Sequence, residues 1–228
     1  MTEKPNPVIL AERSDRAALD FLTEKFDLHG TECAVETHLH YTRLLPSKEA
    51  EPSFVVGTVA ELIVTIYKFR ALESLISEYQ SQGFEIYALL GALLQVDCDE
   101  EIKRIEKLTG YPMEIAPHSL FEFRLKELKE DWEELKALAA LLLKQCSSPE
   151  DVYRLIPYFI NPEDGRSIEL GKGPEAFRPE RVVMPRYTSD KDADAVIEVV
   201  RLRPARVVIK DPESMDERLL NALRALGE

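Results

Sequence analysis

A long amphipathic segment within residues 118–160 constrains the fold of this chain more than any other feature. Apolar residues recur there at alternating spacings of four and three, which places them along one face of an α-helix. These residues are Phe121, Leu125, Leu128, Trp132, Leu135, Ala139 and Leu142. Charged residues occupy the other faces, so the rest of the chain must supply a core for the apolar face. We therefore predict one helix from residue 120 to about residue 144.

The length and composition are those of an ordinary globular protein. The chain has 228 residues, of which 45% are hydrophobic and 31% are charged. Its longest apolar run, residues 137–143, is much shorter than the roughly 20 residues of a membrane-spanning helix. The first residues lack the basic start and the long apolar stretch of a secretory signal peptide. We expect a cytoplasmic protein that does not insert into membranes.

The chain divides by pattern into three regions. Residues 1–45 show a β-α-β pattern, residues 53–160 are helical, and residues 161–228 return to alternating α and β elements. The polar stretch 46–52, with the sequence PSKEAEP, separates the first region from the second. We therefore predict an α+β fold with a helix-rich core of long amphipathic helices. A related hypothesis joins both β regions in one compact domain, where their strands share a sheet.

The net charge restricts the partners of the chain. It is −13, from 42 acidic and 29 basic residues. Proteins that bind nucleic acid through phosphates present clustered Lys and Arg side chains, because counterion release supplies much of the affinity. The strongest basic cluster comprises Arg201, Arg203, Arg206 and Lys210. A solvated edge explains this cluster more simply than a phosphate track, so we expect no nucleic-acid partner.

No sequence motif indicates a catalytic or cofactor site. The patterns of serine hydrolases, zinc proteases, calcium loops and dinucleotide-binding folds are absent. Two glycines flank Lys172, but this loop lacks the spacing of a phosphate-binding loop. Three widely spaced cysteines form no CxxC motif, which favours inert thiols. We expect no cofactor, and the sequence leaves enzyme activity open while favouring a non-enzymatic protein.

One constellation suggests a metal site. Glu36, His38 and His40 alternate along a predicted strand over residues 33–41, so their side chains project from one face. Two imidazoles and a carboxylate suit a divalent transition metal. The simpler alternative is a solvated outer face of a half-buried strand. Its buried face then consists of Cys33, Val35, Thr37, Leu39 and Tyr41.

A second constellation suggests an interaction surface. Phe121, Phe123, Arg124 and Trp132 cluster in the first half of the predicted long helix. Phe123 lies off the main apolar face, so it belongs either to a wider buried face or to a groove for a partner. Aromatic residues and arginine are the residue types that dominate binding energy at protein interfaces.

The run HSLFEFRLKELKEDWEELKALAALLLKQCSSPEDVYRLIPYFI resembles the YtxC family of sporulation proteins. In that family a phenylalanine-rich helix leads through a polar turn to a Tyr-Phe-aliphatic ending. Two earlier stretches, ELIVTIYKFRALESLISE and GFEIYALLGALL, and the later AVIEVVRLRPARVVIKDPE are similar to further parts of the family. The resemblance covers most of residues 60–215, and the chain departs from the pattern at Pro157 and in the link before Val182.

The resemblance implies a cytoplasmic protein of endospore-forming bacteria, without implying a reaction. We expect a non-enzymatic interaction or regulatory factor that binds a protein partner. The alternative is a metal-dependent protein or enzyme that uses Glu36, His38 and His40.

Overall fold

The computed structural model describes residues 6–79, 83–160, 163–170, 177–178, 183–202, 204–209, 212–214 and 216–226. It confirms the predicted α+β class with a helix-rich core. The described residues form two compact units. The first takes its residues from Met1–Lys68 and Asp97–Asp131, and the second from Phe69–Val96 and Trp132–Glu228. This division differs from the three regions of the sequence pattern, since residues 53–160 contribute to both units.

The first unit contains a four-stranded mixed sheet. Its strands are β1 (Val8–Glu12), β2 (Cys33–Thr37), β3 (Tyr41–Pro46) and β4 (Glu114–Ile115). The order is β2-β3-β1-β4, with β1 antiparallel to β3 and parallel to β4. Ile9 pairs with both Leu44 and Ile115 in the register, and all three are buried. They mark the face of the sheet that belongs to the core.

β2 and β3 form a hairpin where the sequence pattern predicts one continuous strand. The backbone N–H of His38 donates to the carbonyl of Tyr41 at 2.8 Å, which closes a turn around Leu39 and His40. These two residues lack the glycine or asparagine that usually marks a tight hairpin turn. Alternation of apolar and polar residues therefore indicated a strand across the turn.

The helices of the first unit carry most of its apolar core. They are α1 (Arg16–Leu28), α2 (Pro52–Leu62), α6 (Cys98–Thr109) and α7 (Pro117–Arg124). α2 continues into a π-helical segment, Ile63–Tyr67, in which every residue is buried. Phe26 of α1 and Val59 of α2 are fully buried as well.

The remaining helices lie wholly or largely in the second unit, although Lys68 and residues 126–131 belong to the first. They are α3 (Lys68–Leu72), α4 (Ser74–Glu78), α5 (Glu85–Gln95), α8 (Lys126–Leu143), α9 (Pro149–Tyr153), α10 (Ile156–Phe159), α11 (Lys191–Arg201) and α12 (Glu217–Ala225). α5 and α11 pack closely, since a Cβ built on Gly91 would lie 2.4 Å from the carbonyl oxygen of Ile197. Only a residue without a side chain fits that contact.

The second unit has a sheet of its own. Its strands are β5 (Glu163–Leu170), β6 (Phe177–Arg178) and β7 (Pro204–Ile209), in the order β6-β5-β7. β5 runs parallel to β7 and antiparallel to β6. Among the described residues, the strands near the two ends of the chain thus lie in separate sheets and not in the shared sheet of our hypothesis.

The predicted long helix is broken at Leu125. Its backbone has φ −106° and ψ 36°, outside the α-helical region, so α7 ends at Arg124 and α8 begins at Lys126. The side chain of Leu125 is still buried. Because a one-residue break preserves the apolar spacing across it, periodicity gave no sign of the interruption.

Candidate interaction surfaces

α7 presents an aromatic side chain and an arginine to solvent. Phe123 is 83% exposed, and Arg124 beside it is exposed as well. Phe121 instead packs against the ring of Tyr67, with ring centroids 5.2 Å apart. Two of the predicted interaction residues therefore differ in their surroundings: Phe121 packs against the protein and anchors α7, whereas Phe123 projects into solvent.

The end of α7 is held in place by its neighbours. Lys129 Nζ donates to the carboxylate of Glu122 at 2.9 Å and lies 4.6 Å from the ring centroid of Phe121. Pro117 and Leu120 of the same helix are buried. These contacts fix the backbone that carries Phe123, so a partner that binds there pays little ordering cost.

Trp132 is not part of this exposed surface. Its side chain is 1% exposed and is among the largest fully buried side chains of the chain. A tryptophan enclosed in this way contributes to packing and does not contact a partner directly. Of the four predicted interaction residues, Phe123 and Arg124 are therefore the accessible pair.

The β2–β3 hairpin forms a second exposed apolar surface. Val35 is 52% exposed, Leu39 76% and Tyr41 41%, although the strand pattern predicted all three to be buried. Alternation reports which face a residue occupies, but burial also needs an element that covers that face. β2 is the edge strand of its sheet, with β3 as its neighbour among the described strands.

The three predicted metal ligands do not converge. Glu36 lies on β2 and accepts a hydrogen bond from Arg43 at 3.2 Å. His38 stacks on Tyr41, with 4.7 Å between ring centroids, and its Nε2 lies 3.9 Å from the Glu36 carboxylate. His40 lies in the turn, off the strand face that the prediction required. Within the described residues, no three His, Cys, Asp or Glu side chains are grouped to hold a metal ion.

A polar cavity lies at the open end of the hairpin, away from its turn. Its volume is about 740 Å³. It is lined by His29, Gly30, Thr31, Glu32, Ser47, Lys48, Glu49, Ala50, Glu51 and Phe54. His29 stacks on Phe54, with ring centroids 3.8 Å apart, and so provides an aromatic wall. Its three carboxylates outnumber the single Lys48, so the lining suits a hydrogen-bond-donating group more than an anion.

A buried ion pair follows the π-helical segment in the first unit. Lys68 is fully buried, and its Nζ donates to both carboxylate oxygens of Glu101 at 2.9 and 2.8 Å. Two-point contact of this kind offsets part of the cost of removing both charges from water. π-helical turns occur often at functional sites, but this pair is enclosed on all sides and is not accessible to a substrate.

A second buried polar network lies on α11 in the second unit. The Tyr187 hydroxyl donates to Glu198 at 3.0 Å, and Arg201 donates to the same carboxylate at 2.8 and 2.6 Å. Asp194 Oδ1 accepts the backbone N–H groups of Tyr187 and Thr188 at 3.2 and 2.8 Å. Burial is the main cause that raises the pKa of Tyr187 and of Asp194 above their ordinary values. The network ties the segment before α11 to that helix.

The three cysteines are free thiols, and Cys33 and Cys146 are of low reactivity. Burial raises the pKa of Cys33 to about 11 and raises that of Cys146 as well. A thiol with a raised pKa holds little thiolate at neutral pH, and the thiolate is the reactive form. The third cysteine, Cys98, is buried.

The predicted basic cluster is only partly described. Arg203 and Lys210 lie outside the described residues, as does the glycine-flanked Lys172. Arg201 is engaged by Glu198 in the buried network. At least this member of the cluster is thus not freely available to phosphate groups.

Comparisons of the chain with protein-family models, with curated proteins and with solved structures give no match.

In the part of the chain that the structure describes, no helix has both the length and the apolar character needed to cross a bilayer.

Proposed function

We propose that this chain is a non-enzymatic interaction factor that binds a protein partner through α7. The observation that carries the proposal is Phe123, a large aromatic side chain that is 83% exposed on a firmly held helix. Arg124 lies next to it, and aromatic residues and arginine supply most of the binding energy at interfaces. A large exposed aromatic side chain beside an arginine has the composition of an interface anchor.

The resemblance to the YtxC family supports a more specific setting. We propose that the partner belongs to the sporulation programme of an endospore-forming bacterium and that the encounter takes place in the cytoplasm. The segment that carries the resemblance begins at His118 and therefore includes α7. This part of the proposal rests on the sequence resemblance, and the choice of Phe123 and Arg124 rests on their exposure.

The test is affinity capture of the tagged chain from lysates of its own host, with vegetative and spore-forming cultures compared. We expect a stoichiometric partner that is enriched in spore-forming cultures. The double variant Phe123→Ala/Arg124→Ala should lower its affinity by about tenfold or more, since loss of an interface anchor costs about 2 kcal/mol. The affinity is then measured with the purified partner by calorimetry.

Tyr158→Ala is the matched control, because Tyr158 is also 83% exposed but lies on α10 in the second unit. It should leave the affinity unchanged. A partner that binds the double variant as tightly as the wild type would refute the α7 surface. Absence of an enriched partner at both stages would refute a stable complex.

A further inference from the structure

Among the described strands, β2 has one unpaired edge, and it lies between the exposed turn of the hairpin and the polar cavity. At one end of the hairpin the turn projects Leu39, which is 76% exposed. At the other end the polar cavity opens beside residues 29–32, immediately before β2 begins. We infer that two copies of this chain associate through antiparallel pairing of their β2 strands. This association goes beyond the proposed partner binding and uses a different surface.

Backbone groups of β2 are available for such pairing. The hydrogen bond from His38 N to Tyr41 O shows that this pair is a bonded one. Bonded and non-bonded pairs alternate along an antiparallel ladder, and the register pairs Thr37 with Thr42 and Val35 with Leu44. Both of these are therefore non-bonded pairs. The N–H and C=O groups of Thr37 and Val35 point away from β3, towards the free edge, where another strand can bind them.

Charge excludes one register of the two strands, and burial favours another. When Val35 lies on the two-fold axis, it faces Val35 of the second copy, and Glu36 faces Ala34. A register centred on Glu36 would place two carboxylates directly opposite each other, which destabilises a strand pair. The register centred on Val35 avoids that repulsion and also buries the exposed apolar surface of Val35.

The same register brings the turn of each copy to the cavity of the other. Leu39 lies as far beyond Val35 as Thr31 lies before it, so Leu39 becomes level with Thr31 of the second copy. Thr31 lines the polar cavity, and Glu32 beside it carries a carboxylate. The turn residues His38, Leu39 and His40 carry no carboxylate, so they approach this acidic rim without repulsion. A two-fold contact repeats this fit on both sides.

Sedimentation velocity from low to high micromolar concentration tests the association. The wild type should shift from monomer to dimer as the concentration rises. Thr37→Pro removes one outward N–H, and proline is tolerated on the solvent side of an edge strand, so this variant should stay monomeric with an unchanged circular dichroism spectrum. Thr37→Val keeps the N–H and should dimerise like the wild type. Leu39→Asp should also weaken the dimer, because it adds a charge next to the acidic rim.

A disulfide test locates the two-fold axis. Single cysteines are introduced at Ala34 or at Glu36 in a variant whose native cysteines, Cys33, Cys98 and Cys146, are replaced by serine. Glu36 faces Ala34 of the second copy in a non-bonded pair, where Cβ atoms are about 4.5 Å apart, so a mixture of Ala34→Cys and Glu36→Cys should cross-link on oxidation. Either variant alone places its two thiols diagonally, about 7–8 Å apart, and should cross-link poorly.

A wild type that remains monomeric at the highest concentration would overturn the inference. Equal cross-linking of the Ala34→Cys and Glu36→Cys mixture and of either variant alone, or a Thr37→Pro variant that still dimerises, would overturn the β2 pairing. The variant Phe123→Ala/Arg124→Ala should dimerise normally. Failure of the dimer and failure of the proposed partner binding are therefore distinguishable.

Discussion

At the scale of single residues, the buried pair of Lys68 and Glu101 shows how this protein handles charge in its core. Lys68 has no exposed surface, and both oxygens of the Glu101 carboxylate lie within hydrogen-bond distance of its Nζ. The free energy of the intact pair is a small difference between a large desolvation cost and a large attraction. Replacing one of the two residues alone should therefore lower the free energy of unfolding more than replacing both together.

We predict that Lys68→Met lowers the free energy of unfolding by about 3–5 kcal/mol, because it removes the ammonium group that contacts both oxygens of the buried Glu101 carboxylate. The double variant Lys68→Met/Glu101→Leu should lose clearly less than the sum of the two single variants. Urea denaturation of all four proteins gives the coupling energy. Additive losses would show that the two charges do not stabilise each other.

A second prediction concerns the pH dependence of stability. The Asp194 carboxyl has a pKa above its ordinary value of 3.8, chiefly because it is buried, although hydrogen bonds from Thr188 and Tyr187 oppose the shift. The folded state therefore binds the proton more tightly than the unfolded state. The contribution of Asp194 to stability falls as pH rises from 3.8 through the raised pKa. Asp194→Asn should remove this fall from the plot of unfolding free energy against pH.

Asp99→Asn serves as a control for loss of a carboxylate without burial, since Asp99 is exposed at the start of α6. The change in the profile should be larger for Asp194→Asn than for this control. If Asp194→Asn and the wild type have parallel profiles across the acidic range, burial of Asp194 does not perturb its titration.

At the scale of secondary-structure elements, the contact between α5 and α11 depends on a missing side chain. A Cβ at position 91 would lie 2.4 Å from the Ile197 carbonyl oxygen and 3.0 Å from Val200 Cβ. Both neighbours are held by their helix, so neither moves away easily. Tight helix packing of this kind outweighs the lower helix propensity of glycine.

We predict that Gly91→Ala destabilises the protein by about 1–3 kcal/mol through overpacking, although alanine favours a helix by about 1 kcal/mol over glycine. Thermal or urea denaturation measures the change. Gly57→Ala in α2 is the matched control, because its Cβ would meet only the flexible end of the Glu106 side chain at 3.1 Å. That variant should be neutral or slightly stabilised. An equal response of both variants would show that the α5–α11 contact is looser than described.

The elements also show what the sequence predicts and what it does not. Apolar periodicity correctly identified buried residues such as Leu128 and Trp132, because burial of a helix face imposes that spacing. It missed the break at Leu125, which keeps the same spacing on both sides. It also missed the β2–β3 turn, because Leu39 and His40 carry no turn signal.

The candidate sites were predicted less well than the fold, for a related reason. Phe123 was recognised as lying off the apolar face, and the structure places it in solvent. Trp132 was grouped with it although it is buried. Sequence spacing defines a side chain's direction on its own helix, whereas exposure depends on what other elements cover it. The same limit explains the wrong burial expected for Val35 and Leu39.

At the scale of the whole molecule, the excess of acidic over basic residues restricts which partners can bind. The net charge of −13 is distributed over a chain with a sequence pI of about 4.9. A protein with this charge repels polyanions at long range unless a local basic surface overcomes the repulsion. Acidic overall charge therefore favours partners with neutral or basic surfaces.

We predict that the protein does not bind duplex DNA or RNA even at low ionic strength, where phosphate contacts are strongest. Fluorescence anisotropy with labelled duplexes checks this at rising salt concentration. Binding that weakens with salt and disappears in Arg203→Glu/Arg206→Glu would contradict the prediction and assign the C-terminal basic cluster to nucleic acid.

The π-helical segment Ile63–Tyr67 has a consequence for sequence divergence. A π turn accommodates one residue more than the α-helix around it. Deletion of one residue there would restore a regular α-helix and leave the following residues facing as before, because the π turn absorbs the extra residue without rotating the helix beyond it. Lys68 would then still face Glu101. In an alignment of genuine relatives, a one-residue gap at this segment should therefore be compatible with retention of both charged residues.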